Sequence, residues 1–123
     1  MLSHIPYMYV DEAGCKQHDD IYLDAVLANP SELAEIEAKL QDGEFFIPAQ
    51  LNLGIPELQS RMEGFPSARD HVFHTMCLYE FEEVASAPEG AFVVSAQEFL
   101  ARFRALSGPD AWDVVAAHTR LGL

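Results

Sequence analysis

A chain of 123 residues with 20 acidic against 7 basic side chains and a formal charge of −13 is a poor binder of nucleic acid, whose phosphates demand cations on the protein. Half of its residues are hydrophobic, which excludes a disordered acidic tail and leaves room for one core in a single domain over 1–123. Two cysteines, Cys15 and Cys77, are too few for a secreted disulfide scaffold; no stretch reaches the roughly 18 apolar residues that cross a bilayer, and the first residues lack a leader's pattern, so a cytosolic setting is expected.

Residues 5–11 are aromatic and β-branched, and the turn-like 11–20 stretch separates them from 21–27. Two strands joined as a hairpin with a long acidic loop are expected. Asn29-Pro30-Ser31-Glu32 then predicts a helix over about 30–42: Asn29 caps free amides, Pro30 is preset for the first helical position, and Leu33, Ile36 and Leu40 recur at helical spacing before Gly43. Residues 44–47 read as a short strand stopped by Pro48, followed by two proline-to-glycine units, 47–54 and 55–64, expected as short helical turns.

From 72 to 83 the β-branched, aromatic and sulfur-bearing side chains predict one central strand covered on both faces, with Phe73, Cys77, Tyr79 and Phe81 on one side and Val72, His74, Met76 and Leu78 on the other. Ser95-Ala96-Gln97-Glu98 is a capping box for a helix through Leu106, and Ser107-Gly108-Pro109-Asp110 restarts a last helix carrying Trp112, Val115 and Ala116. The expected fold is α+β, a mainly antiparallel sheet of about four strands with three helices packed on it, in the order β-β-α-β-turns-β-α-α.

Chemistry-bearing motifs are sparse. There is no nucleophile elbow, phosphate loop or dinucleotide-binding glycine pattern. The best metal candidate joins Cys15-x-x-His18 to His74-x-x-Cys77, with Asp70 and His71 beside the second pair; four N and S ligands suit tetrahedral zinc, but residues three apart in a strand point to opposite faces. The ordinary reading makes Cys77 a core residue, Cys15 a loop thiol and the histidines hydrogen-bonded or surface groups. No cofactor is expected, and a small metal-binding enzyme centred on His18, His71, His74 and Cys77 stands as the alternative.

Charge is the stronger signal. Residues 1–60 hold eleven acidic and two basic side chains, and Glu80 to Glu98 is free of basic residues. A solvated face is the ordinary account of such acidity; a surface that steers a basic protein is the specific one. Aromatic anchors among carboxylates suit an interface, so the candidate partner-binding residues are Asp11, Glu12, Asp19, Asp20, Tyr22 and Asp24, with Phe65 from its Gly-Phe-Pro loop, and Glu80, Glu82 and Glu83 second. The expectation is a non-catalytic acidic domain that binds a basic protein, in the manner of an immunity protein or inhibitor covering the active site of a basic toxin or nuclease. An incidental acidity in a homo-oligomer, a homodimer included, is the further alternative.

Overall fold

The sequence's alternation is clearest at its start, and a computed structural model, which describes residues 1–27 and 29–123, builds the molecule around that segment. Strand β1 (Leu2–Val10) turns Ser3, Ile5, Tyr7 and Tyr9 into the core, each no more than 1% exposed, and leaves His4, Pro6, Met8 and Val10 on the opposite face. Period-two burial of this kind is what a sheet covered on one side requires.

β2 (Lys16–Leu23) pairs antiparallel with β1 along eight positions, from Ser3 opposite Leu23 to Val10 opposite Lys16. The expected long loop is thereby corrected. Asp11 closes a tight connection by accepting from the amides of Ala13 and Cys15, both at 2.9 Å, with Gly14 at φ 84° supplying the left-handed residue. His18, Asp19 and Asp20 therefore lie on a strand; their polarity hid it because they sit on a stretch that no further strand covers.

Helix α1 (Pro30–Lys39) begins as expected, the Asn29 side chain accepting from the Ser31 amide at 3.0 Å. It stops at Lys39, short of 42, because Leu40 is extended and Asp42 and Gly43, both at positive φ, turn the chain back so that Gln41 bridges to Phe45. β3 (Phe45–Phe46) and the one-turn helix α2 (Pro48–Leu51) follow. The second proline unit forms a 3-10 turn at Gln59–Arg61, away from its proline.

The single strand expected over 72–83 is three elements: β4 (His74–Met76), a 3-10 turn at Leu78–Glu80, and β5 (Glu82–Val84). Both strands pair with the same edge of β1, β4 at Tyr7 and Met8 and β5 at Leu2 to His4. Between them stands Pro6, which has no N–H to donate; its carbonyl accepts from the Cys77 amide at 2.9 Å, and the chain leaves the sheet at the 3-10 turn. The central strand is thus β1, not 72–83. Val72, His74 and Met76 are buried, while Tyr79 is 81% exposed and not part of a covered face.

β6 (Val93–Val94) runs parallel to β2 at Tyr22 and Leu23, so the sheet is mixed, with order β3-β4-β1-β2-β6 and β5 beside β4 on β1. Among the described residues the α+β fold has six strands rather than about four, with three longer helices as expected and the one-turn α2 among the expected short turns. Helix α3 (Ala96–Ala105) opens on the Ser95 side chain, and α4 (Val114–Leu121) on Asp113. The last helix starts later than expected: Trp112 precedes it and Val115 is 76% exposed, with Ala117 buried instead.

Ile36, Leu51, Phe99, Phe103 and Ala117 from the helices close one core with the odd residues of β1. Burying a side chain of this size contributes roughly 2 kcal/mol. Three of its polar tips are paired: Tyr7 donates to the Pro56 carbonyl at 2.6 Å, Tyr9 to Asp70 at 2.7 Å and Trp112 to the Lys39 carbonyl at 3.0 Å. His74, 1% exposed, accepts the Leu58 amide on Nε2 at 2.8 Å, which puts its proton on Nδ1; burial drives its pKa down to about 3 and keeps the ring neutral.

Candidate partner-binding site

On the face of the sheet away from the core, partners across β1, β2 and β5 fall into one row. His4 is opposite Tyr22 on one side and Glu82 on the other. Its ring stacks on Tyr22, centroids 4.8 Å apart and 15° from parallel, with Nε2 2.7 Å from Asp20 and Nδ1 2.9 Å from Glu82. Both nitrogens can donate only in the imidazolium. Burial opposes that charge, but the hydrogen bonds and fields of Asp20 and Glu82 outweigh it and raise the His4 pKa above its usual value.

With both nitrogens occupied, His4 has none to take a proton from a substrate. It acts as a clamp joining three strands. The same carboxylates, behind the first effect of burial, hold the Tyr22 hydroxyl above the usual phenol range.

Asp19 points the other way, as strand alternation requires, and forms an ion pair with Arg61 at 2.9 Å. Because β6 meets β2 only from Tyr22 onward, a cleft of about 340 Å³ opens between Asp19, Asp20 and Tyr22 of β2 and Phe92 ahead of β6, with Ile55 and Pro56 also lining it. Phe92 is 57% exposed. Two carboxylates, a tyrosine, an exposed phenylalanine and apolar loop residues make an acidic and aromatic recess with no lysine or arginine in its lining.

Three of the expected binding residues, Asp19, Asp20 and Tyr22, meet in this cleft, and Glu82 joins them through His4. The others do not. Asp11 closes the β1–β2 turn, and Asp24 accepts the Ala96 amide at 2.9 Å at the start of α3. Glu12, Glu80 and Glu83 are exposed outside the cleft lining, and Phe65 is half-buried rather than a projecting anchor.

The residues of the zinc alternative are not brought together: among the described residues no group of three or more His, Cys, Asp and Glu side chains is placed to hold a metal. His74 is buried against the Leu58 amide, and His71 bridges the Val10 carbonyl at 2.6 Å and the Phe73 amide at 3.2 Å, so neither meets Cys15 or His18. Both cysteines are free, Cys15 exposed and Cys77 buried.

His4, Arg61 and Phe92 are residues of the clamp and cleft that sequence reasoning missed. The β1 alternation could have placed His4 on the outer face; nothing local announces that Phe92 faces Asp20 across more than 70 intervening residues. No helix of the described residues is long and apolar enough to cross a membrane. Compared with protein-family models, with curated proteins and with solved structures, the chain matches none.

Proposed function

We propose that this protein is an acidic protein-binding domain, most concretely an inhibitor or immunity protein that neutralises a basic toxin or nuclease by occupying its active site. One observation carries the reading: Asp19, Asp20, Tyr22 and Phe92 line a single cleft with no lysine or arginine in its lining, Arg61 and His4 meeting the two carboxylates from behind it. A protein that holds nucleic acid needs a cationic groove, so an acidic partner of this charge docks fast and fills the place of the substrate. Aromatic anchors supply affinity while the carboxylates steer. A free, exposed Cys15 suits a reducing compartment and supports placing the protein in the cytosol.

The test is capture of the partner from native lysate, followed by titration of that purified protein against the wild type, an Asp20→Asn/Phe92→Ala variant and a Glu98→Gln control on exposed α3. The expected result is a basic partner bound one to one, its activity blocked, with affinity lowered about tenfold or more both by the double substitution and by raising salt from 0.05 to about 0.5 M. A partner that is acidic, or one whose affinity ignores both salt and the double substitution, overturns the reading. So does recovery of the protein solely as its own oligomer.

A further inference from the structure

The backbone groups of β2 divide between its two edges. Pro6 directs its carbonyl away from β2 to Cys77, so Pro6 and Asp20 are a pair that exchanges no hydrogen bonds. On the far side, Asp24 donates to the Val94 carbonyl at 2.9 Å. Even-numbered residues of β2 therefore turn their N–H and C=O groups away from β1. From Tyr22 onward β6 takes them; from Lys16 to Asp20 no strand among the described residues does.

Along that stretch the Asp20 amide is met by the Asp19 side chain at 2.7 Å. Outside the β1–β2 ladder, no hydrogen bond reaches the N–H and C=O groups of Lys16 and His18 or the carbonyl of Asp20 among the described residues, and Lys16, His18 and Asp20 are exposed. The cleft lies against the end of this edge. Its other wall is the segment that becomes β6, so an extended chain laid along Lys16–Asp20 would continue the sheet at the place where β6 leaves it.

We propose that the basic partner binds by strand addition: an extended segment of it pairs with the open edge of β2 at Lys16–Asp20 and enters the cleft. This deepens the preceding reading and rests on it. Main-chain hydrogen bonds give affinity in such pairing, and alternate side chains give specificity. On the outer face the incoming side chains run from Lys16 past His18 to Asp20, and those on the core face meet Ile55 and Pro56, the latter held beneath the sheet by Tyr7. The segment that fits sets a basic residue beside Asp20 at the cleft end and apolar residues on the core face. Two copies of a chain carrying −13 repel one another, which favours a basic partner over self-pairing.

The experiment uses a short capped peptide of valine and threonine with one arginine at the end that meets Asp20, and the same peptide N-methylated at its central amides, titrated into the full chain while amide exchange is followed by NMR. The expected result is that the first peptide slows exchange of the Lys16 and His18 amides by about tenfold or more and the methylated one, of equal charge, does not. His18→Pro removes an outward N–H without breaking a bond to β1, and is expected to weaken peptide binding by about tenfold. His18→Ala keeps the N–H and binds as the wild type, which separates pairing from side-chain loss or misfolding.

Equal binding of both peptides, weakened by Asp20→Asn, overturns strand addition while leaving the acidic-cleft reading in place. Binding of neither overturns both. Lys16 and His18 amides already protected in a dimeric free protein would assign the edge to a second copy and overturn the partner strand.

Discussion

Replacing His4 by phenylalanine keeps a ring over Tyr22 and removes the charge between Asp20 and Glu82. Hydrogen bonds to a charged group contribute about 1.5–3 kcal/mol each in a dry site. Here the imidazole is 14% exposed but Asp20 and Glu82 are 47% and 61% exposed, so screening leaves about 1–2 kcal/mol for the whole clamp. At this chain length that is a loss of roughly 4–8 °C in melting temperature.

The pH dependence carries the decisive sign. Because folding raises the His4 pKa, the folded state holds its proton more tightly than the unfolded chain; the stabilisation is complete below the unfolded value of about 6.5 and is lost as pH rises through the folded value. Urea unfolding followed by the fluorescence of Trp112, the chain's only tryptophan, is therefore expected to give a wild-type advantage over His4→Phe that is largest near pH 5.5 and shrinks towards pH 9. A difference constant across that range would refute the imidazolium clamp.

His74 acts with the opposite sign. Burial depresses its pKa to about 3, so between about pH 6.5 and 3 the unfolded chain takes up a proton that the folded one refuses, and stability falls by up to about 1.4 kcal/mol per pH unit from this group; its ring resonances should not titrate above about pH 4, and a midpoint near 6.5 would contradict the burial. Asp24→Ala removes the acceptor of the Ala96 amide and should cost about 0.5–2 kcal/mol in urea unfolding while leaving binding of the basic partner unchanged. Loss of binding at unchanged stability would return Asp24 to the interface.

The chain's own pattern determined its local elements wherever one signal was unopposed. Asn29-Pro30 and Ser95-x-x-Glu98 begin helices because capping is a matter of neighbouring residues, and the aromatic run at the start reads as a strand because its apolar side chains alternate. The acidic balance pointed to Asp19, Asp20, Tyr22 and Glu82, but equally to Asp11, Glu12, Asp24, Glu80 and Glu83, which lie outside the cleft.

Only the tertiary structure decided the rest. Lys16–Asp20 reads as loop in isolation, since strand character there comes from pairing with β1 rather than from side-chain pattern. The segment from 72 to 84 reads as one strand until Pro6, on a strand distant in sequence, denies it a donor and splits it into β4 and β5. His4 between Asp20 and Glu82, and Phe92 across from them, depend on β1, β2, β5 and β6 lying side by side. Strand pairing is set by distant backbone groups and side chains on a shared face, and neither leaves a mark at the positions it brings together.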